Sequence, residues 1–344
     1  MKKVTEQFEQ DWDLHLNDLK ELIKIPSISF EGFDQKSVLE CGNKVAELLK
    51  ARGLENVKLL EIPNANPFVY GDWLHAKGKP TVLMYAHYDV QPIGQKDLWK
   101  TKPFEPTLIG GPGGERLYAR GAADDKAGII AQTAAIHSYL KSLGELPVNI
   151  KLIVEGEEEI GSPNLDRFLK QYKDLFGADV ILLSDTTNFD IGIPALTISL
   201  RGLLGFEIEV RSLNNTVHSG MWGGPTPDPA MALTKILGSL IDSNGRIAVK
   251  DINKLVPKLT SSEKKFLKET PYNEKLFREQ LGIVKKAKLF FKKHEVWESM
   301  WRKPSISINA MQVASRNQAG NVINDTAWAR VTLRLAPGMS VEKS

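Results

Sequence analysis

Three segments of this chain are almost wholly apolar and alternate with helical patterns, and this arrangement constrains the fold more than any other feature. The segments are TVLMYAHYDV (81–90), VNIKLIVE (148–155) and ADVILLSD (178–185). Helical patterns fill residues 126–143 and about 164–176, between the segments. Strands that are apolar on both sides are typical of a parallel sheet covered by helices on both faces. The sequence therefore predicts an α/β fold, a layered αβα domain with a mostly parallel sheet.

The chain ahead of these strands has the same mixed character. Residues 5–24 and 37–52 carry apolar side chains at three- and four-residue spacing, which predicts two amphipathic helices. Two strand-like runs follow at 57–62 and 68–74. We therefore assign this N-terminal part to the same layered domain.

The pattern changes after about residue 195. Longer segments in which apolar and polar residues alternate replace the buried strands, and they are 196–212, 305–313 and 326–337. A helix is predicted at 228–242, and residues 248–300 are lysine-rich and mostly helical in pattern. Alternating strands beside helices are typical of an α+β domain with an antiparallel sheet. The predicted domains are residues 1–195 and 196–344.

Composition narrows the class of protein. The chain has 344 residues, a net charge of +3 and one cysteine, which excludes a disulfide framework and favours a reducing compartment. The polar start has no signal-peptide core, and no apolar run approaches the ~18 residues that span a bilayer. Glutamates interleave the lysines of 248–300, so we interpret that stretch as solvated helix faces. We expect a cytoplasmic enzyme with no nucleic-acid or membrane partner.

The apolar strands end in groups that suit metal chemistry. His87 and Asp89 end the first strand, Glu158 and Glu159 follow the second, and Asp185 ends the third. Sites in open α/β sheets form at the carboxyl ends of strands, so we expect these groups at one edge.

Asp124 and Asp125, just before the helix at 126, add two further carboxylates. Each group alone has an ordinary explanation, such as a surface pair, a helix cap or a solvated loop. Together their repulsion needs a compensating cation, and one imidazole with several carboxylates suits Zn²⁺ or Mn²⁺.

Five motifs follow one another along the chain: YAHYDVQP (85–92), LYARGAADDKAG (117–128), EGEEEIGS (155–162), LLSD (182–185) and NNTVHSGMWGG (214–224). In this order they resemble the M20 family of metallopeptidases, and most of all its carnosinase-like and PepV-like dipeptidase branch. The segments WRKPSISI and VTLRLAPGM are similar to the lid domain of that branch. The resemblance covers nearly the whole chain and implies a catalytic domain in residues 1–195 and a lid or dimerisation domain in 196–344.

The resemblance implies a role for each residue of the first domain that matches a family motif. His87 would bind one of two divalent metals, Zn²⁺ or Mn²⁺, and Asp89 would orient the imidazole of His87. Asp124 would bridge the two metals, which leaves Asp125 without a ligand role, and Asp185 would complete the first site. The remaining two roles concern one loop: Glu158 would be the general base and Glu159 a ligand of the second metal. Glu157 would be incidental, either solvated or supporting the ligands from behind.

The resemblance also assigns three residues of the lid. His218 would stabilise the oxyanion, in dimeric relatives by reaching the partner's active site. Arg334 matches the arginine that grips a substrate carboxylate, and Asn321 would assist it. PepV-like relatives reach the same geometry as monomers with an enlarged lid, so both a homodimer and a monomer stay open.

One departure from the family pattern concerns the second metal. The family supplies a histidine ligand from a C-terminal segment, and the histidines of this chain are His15, His75, His87, His137, His218 and His294. None occupies such a segment, so we expect a C-terminally truncated chain with an incomplete second site, and both an active and an inactive chain stay open.

The predicted function is two-metal hydrolysis of dipeptides or short peptides with a free carboxylate end. Two alternatives remain open at this stage. One is an amidohydrolase that deacylates N-acyl amino acids, and the other is a non-catalytic peptide-binding or dimerisation protein.

Overall fold

A computed structural model of the protein describes residues 1–111, 114–190 and 192–344. The chain divides into two compact units, Met1–Leu196 and Thr197–Ser344, which we call unit 1 and unit 2. Within the described residues, none of the helices combines the length and the apolar character needed to cross a bilayer.

Unit 1 is built on a five-stranded sheet, with a separate hairpin. Its strands are β1 (Glu55–Leu60), β2 (Phe68–Trp73), β3 (Thr81–His87), β4 (Thr107–Gly111), β5 (Gly114–Tyr118), β6 (Asn149–Glu155) and β7 (Val180–Leu183). The sheet order is β1-β2-β6-β3-β7, and β4 pairs with β5 in the hairpin. Strand β3 runs parallel to β6 and β7, whereas β2 runs antiparallel to β1 and β6. Four of the five strands therefore point the same way, and the predicted mostly parallel sheet is confirmed.

Helices cover both faces of this sheet. They are α1 (Lys2–Gln10), α2 (Trp12–Ile23), α3 (Gln35–Ala51), α4 (Lys126–Leu143), α5 (Leu165–Gln171) and α6 (Lys173–Phe176). Alternate residues of β2 enter two separate cores: Val69 packs with α3 and α4, while Phe68 and Tyr70 pack with Phe168 of α5. Because successive side chains of a strand point to opposite faces, this alternation confirms the predicted αβα layering.

Helix α4 follows the turn that contains Asp124 and Asp125, and the residues at its two ends explain its bounds. Its N-cap is Asp125, and Gly144 ends it in the left-handed conformation with φ 76°. Glycine adopts that conformation without steric cost, which explains the stop at Leu143. The start of α4 lies beside the end of β3, because the carboxylate of Asp125 accepts the backbone N–H of His87.

Unit 2 has an antiparallel sheet, as the sequence predicted. Its strands are β8 (Gly202–Arg211), β9 (Val217–His218), β10 (Ser305–Gln312), β11 (Val322–Ile323) and β12 (Thr326–Leu335). The order β10-β12-β8 is antiparallel throughout, and β9 pairs with β11. The helices are α7 (Ser219–Trp222), α8 (Pro229–Ser239), α9 (Ser261–Glu269), α10 (Glu274–Gln280) and α11 (His294–Trp301). Leu233 and Leu237 of α8 pack on one face of the three-stranded sheet.

Candidate metal centre

A cluster of side chains capable of binding a metal lies at the carboxyl edge of the unit 1 sheet. One ligand atom from each of His87, Asp124 and Asp185 lies within 4.8 Å of the other two. His87 ends β3, Asp185 follows β7 by two residues, and Asp124 lies in the turn before α4. The structure therefore brings together three of the residues that the sequence predicted at this edge.

The imidazole of His87 is fully buried and held on both sides. Its Nδ1 lies 3.0 Å from the backbone oxygen of Asp89 and 3.3 Å from Asp89 Oδ1. Both neighbours are acceptors, so Nδ1 carries the hydrogen and Nε2 presents its lone pair when the ring is neutral. Nε2 faces Asp124 Oδ1 at 3.0 Å and Glu158 Oε2 at 3.8 Å.

Asp89 links His87 to the loop that follows β6. Its Oδ1 accepts the backbone N–H of Glu158 at 3.1 Å, and its Oδ2 accepts that of Glu159 at 3.1 Å. The hydroxyl of Ser29 donates a further hydrogen bond of 2.6 Å to Oδ2. One buried carboxylate therefore fixes both the imidazole and the two glutamates that carry the predicted chemistry.

The three consecutive glutamates occupy different environments. The carboxylate of Glu157 is buried and accepts the backbone N–H of Asn66 at 2.7 Å and Nδ2 of Asn164 at 2.9 Å. Of the two expectations for Glu157, the solvated one is wrong and the supporting one fits, because this buried side chain connects the loop to two other segments. Glu158 is partly exposed toward the cluster. Glu159 lies outside the group of three, and its carboxylate accepts the backbone N–H and the side-chain amide of Gln91.

Asp124 and Asp125 point in different directions from the turn before α4. The side chain of Asp124 is 66% exposed, whereas Asp125 is buried and accepts the backbone N–H of His87 at 3.2 Å. A Cβ at Gly128 would lie 2.2 Å from Asp125 Oδ1, so only glycine leaves room for this carboxylate. Asp125 therefore supports the strand end that carries His87.

Burial and the nearby carboxylates together shift the pKa values of the cluster. Burial raises the pKa of Asp125 to about 7 and raises the pKa of Asp185 and Glu158 above the usual range. Burial lowers the pKa of His87, but the hydrogen bond and charge of Asp89 outweigh it and raise that pKa to about 10. A cation bound at Nε2 would displace this proton and offset the carboxylate repulsion. One imidazole nitrogen with carboxylate oxygens is a donor set that fits Zn²⁺ or Mn²⁺.

The three predicted lid residues all lie in unit 2. His218 is exposed, and its Nδ1 accepts the backbone N–H of Gly220 at 3.1 Å. The backbone oxygen of Asn321 accepts the N–H of Ser219 at 2.9 Å, so Asn321, which precedes β11, lies beside the end of β9 at His218. Arg334 is exposed on β12.

Two residues that the sequence reasoning did not single out support the site. Gln91 holds the carboxylate of Glu159 through its side-chain amide at 2.8 Å. Glu155, the partner of His87 in the β3–β6 register, is fully buried and accepts the hydroxyl of Tyr85 at 2.8 Å. The alternation His87, Asp89, Gln91 along an extended segment is the signal that could have revealed Gln91.

Comparison with known proteins gives consistent results. The pattern of Peptidase family M20/M25/M40 matches residues 83–331. The chain is 30% identical over 339 residues to the Cys-Gly metallodipeptidase DUG1 of Saccharomyces cerevisiae, covering 94% of this chain and 70% of that protein. It is 34% identical over 277 residues to the Beta-Ala-His dipeptidase of Rattus norvegicus, covering 80% of this chain and 55% of that one.

A solved structure is similar over nearly the whole chain. The crystal structure of human carnosine dipeptidase 1 superposes with a TM-score of 0.78 at 30% identity, covering 99% of this chain and 74% of that chain. The chain therefore spans between about half and about three quarters of the length of these proteins.

Proposed function

Because the chain belongs to peptidase family M20/M25/M40, we propose that it is a metal-dependent dipeptidase that hydrolyses peptides with a free carboxylate end. The observation that carries the proposal is the meeting of His87, Asp124 and Asp185 within 4.8 Å, with Glu158 beside them. Peptide hydrolysis needs an activated water and a base, and this edge of the sheet offers ligands and a carboxylate for both.

His87, Asp124 and Asp185 would hold one divalent cation, and Asp124 with Glu159 would contribute to a second, each Zn²⁺ or Mn²⁺. When bound, such cations lower the pKa of a water and polarise the scissile carbonyl. The buried imidazole with its hydrogen on Nδ1 supports the first assignment. For the second, the partial exposure of Asp124 is consistent with a bridging role.

Glu158 would serve as the general base. It would accept the proton of the attacking water and pass it to the leaving amine. Burial raises its pKa above the usual carboxylate value, which brings it nearer to neutral pH, where a proton acceptor and donor works best. Asp89 would position this base, since it accepts the backbone N–H of Glu158.

Unit 2 would complete the site as a lid. We assign His218 to oxyanion stabilisation, contributed within a homodimer, and Arg334 with Asn321 to the substrate carboxylate. The exposure of His218 and Arg334 leaves both side chains accessible to a substrate. With Nδ1 of His218 accepting the N–H of Gly220, its hydrogen is on Nε2, as an oxyanion donor requires.

The names of the relatives support the proposed substrate class. Those with the sequence identities given above are named for Cys-Gly and Beta-Ala-His, both dipeptides. We therefore favour dipeptides over N-acyl amino acids as substrates of this chain.

Replacing Glu158 with Gln tests the proposal. The amide keeps the shape of the side chain but cannot accept a proton, so kcat for dipeptides should fall about 10²–10⁴-fold. Because Glu158 is not assigned as a ligand, the Mn²⁺ content measured by mass spectrometry should stay unchanged. The control is Glu145→Gln, at an exposed position after α4, which should retain full activity.

Two results would overturn parts of this account. Unchanged kcat in Glu158→Gln would remove Glu158 as the base. Faster hydrolysis of N-acetyl amino acids than of any dipeptide would replace dipeptidase with deacylase activity.

A further inference from the structure

Two arginines share one face of the unit 2 sheet. In the register of this sheet, Arg334 of β12 is opposite Leu203 of β8 and Ser305 of β10. Arg201 precedes Leu203 by two residues, the spacing that places side chains on the same face of an extended chain. The neighbours of Arg334 along β12, Leu333 and Leu335, are buried on the opposite face.

The side chain of Arg201 reaches across β12 toward β10. Its Nη1 donates a hydrogen bond of 3.1 Å to the hydroxyl of Ser305. Because Ser305 is the register partner of Arg334, this bond brings the guanidinium of Arg201 close to that of Arg334. Arg201 is half-buried, and burial followed by the charge of Arg334 lowers its pKa.

The two guanidinium groups have no counter-ion among the residues that the structure describes. Within the described residues, neither Arg201 nor Arg334 forms an ion pair with a carboxylate, although Arg330 on the same face of β12 pairs with Glu207 at 3.7 Å. Two like charges held together, one of them half-buried, destabilise the fold unless an anion offsets them. Guanidinium groups match the geometry of a carboxylate and can bind it through two parallel hydrogen bonds.

We propose that Arg201 and Arg334 together bind the terminal carboxylate of the peptide substrate, with Ser305 holding Arg201 in place. This inference rests on the proposed dipeptidase function, and it adds Arg201 to the single arginine that the sequence indicated. The carboxylate supplies the missing counter-charge, so a peptide with an amide end lacks the main partner of this site.

Binding to the Glu158→Gln chain tests the proposal without turnover. Calorimetry in Mn²⁺ compares glycylglycine with glycylglycinamide. We expect Arg201→Gln to weaken glycylglycine binding about 10–100-fold, the range for hydrogen bonds to charged groups, and to change binding of the amide less than about twofold. Arg201→Lys should recover part of the loss, because it restores the positive charge but not the planar group that forms two parallel hydrogen bonds.

The matched control is Arg330→Gln, which removes a guanidinium from the same face and strand and should leave both affinities unchanged. If Arg201→Gln fails to fold in circular dichroism, Ser305→Ala removes only the hydrogen bond to Arg201 and should weaken binding of the acid alone. Equal affinity for glycylglycine in the parent and the Arg201 or Ser305 variant overturns the proposal. So does a parent that binds acid and amide alike.

Failure of the proposed function has a different signature. A chain with Glu158 intact that hydrolyses no dipeptide contradicts dipeptidase activity, whichever peptide it binds. Hydrolysis with unchanged carboxylate preference in Arg201→Gln contradicts only the two-arginine site.

Discussion

At the scale of single residues, Asp89 connects the parts of the candidate metal centre. It accepts hydrogen bonds from Ser29 and from the backbone of Glu158 and Glu159, and it also faces Nδ1 of His87. A carboxylate offers about four acceptor sites, and these four donors occupy all of them. Its role in orienting His87 stays a prediction.

Asp89→Asn should weaken both the fold and the metal site. The amide NH₂ would face a donor, which costs about 1–3 kcal/mol of unfolding free energy. Loss of the group that orients a metal-binding histidine typically lowers metal affinity about 10–100-fold. Urea unfolding of the metal-free protein and Mn²⁺ calorimetry measure the two effects.

Asp72→Asn is the matched control for Asp89→Asn. Asp72 is also buried, and it accepts Tyr70 Oη at 2.8 Å and Asn56 Nδ2 at 2.9 Å. We expect a comparable loss of stability with unchanged Mn²⁺ affinity. An equal loss of affinity in both variants would contradict the role of Asp89.

Glu155 makes stability depend on pH. Burial raises its pKa from 4.5 to about 7, against the hydrogen bond from Tyr85. The folded pKa exceeds the unfolded one, so the contribution of Glu155 to stability is complete below pH 4.5 and is lost as pH rises through about 7. In metal-free protein, Glu155→Gln should therefore reduce the loss of stability between pH 5 and pH 8 by about 1–3 kcal/mol.

Urea unfolding at the two pH values checks this difference for Glu155→Gln. The exposed substitution Glu145→Gln should leave the pH dependence as it is in the unmodified chain. If Glu155→Gln and the unmodified chain lose the same unfolding free energy between pH 5 and pH 8, the prediction is wrong, because Glu155 then makes no contribution to the pH dependence.

The sequence indicated which residues end the strands but not what each one contacts. His87, Asp124 and Asp185 meet at the expected edge because parallel strands place their carboxyl ends together. The sequence left open whether Glu157 is solvated or supports the ligands. Its partners are Asn66, 91 residues earlier, and Asn164, the N-cap of α5, and neither contact leaves a periodic signal.

At the scale of elements, a buried lysine connects the start of α4 with the end of α2. Lys126 is fully buried, and its Nζ donates to the backbone oxygens of Leu22 and Ile25 at 2.8 Å each. Leu22 lies in the last turn of α2 and Ile25 two residues beyond its end, where the helix dipole favours positive charge. Each of the two oxygens also accepts one backbone N–H, from Ile25 and Ser27 respectively. The turn that carries Asp124 is thereby fixed to a neighbouring helix.

Lys126→Met should destabilise unit 1. Methionine keeps the apolar stem but removes both hydrogen bonds from the ammonium group, so the two carbonyls keep only their backbone N–H donors, at a cost of about 1.5–3 kcal/mol. The control Lys170→Met removes an exposed lysine that pairs with Asp166 at 3.4 Å, and should change stability by less than about 0.5 kcal/mol. Urea unfolding measures both, and a methionine variant as stable as the unmodified chain would refute this role of Lys126.

Element boundaries were predictable where the signal is local. The helix predicted at 126–143 is correct at both ends, because Asp125 is a favourable N-cap residue and Gly144 stops the helix. The single helix predicted at 5–24 is wrong: α1 and α2 separate at Asp11, whose carboxylate pairs with Lys141 of α4 at 2.9 Å. That contact is tertiary, so the helical period could not reveal it.

Two further boundaries depend on packing between segments. The predicted helix at about 164–176 is interrupted at Tyr172, whose hydroxyl donates to the backbone oxygen of Glu61 at 2.7 Å. The strand predicted from 196 begins only at Gly202, where pairing with Leu335 starts. Alternating apolar and polar residues mark a segment that is able to form a strand, but the strand forms only where a neighbouring strand pairs with it.

At the scale of the whole molecule, the residues to which we assign roles lie in both compact units. Unit 1 contains the candidate ligands His87, Asp124 and Asp185, and unit 2 contains His218, Asn321 and Arg334. We propose the first as the catalytic domain and the second as the lid. Antiparallel sheets with one helix-covered face leave the other face free to meet a ligand, and Arg334 lies on that face of unit 2.

The central claim is that the cluster at the carboxyl edge of the unit 1 sheet binds the divalent cation that dipeptide hydrolysis requires. Its most direct test is the rate of dipeptide hydrolysis against free Mn²⁺ concentration, starting from protein stripped with a chelator. We predict no hydrolysis without the cation, full recovery on its return, and loss of that recovery in His87→Ala but not in His137→Ala. Hydrolysis that persists in chelator, or that His87→Ala leaves unchanged, would contradict the account.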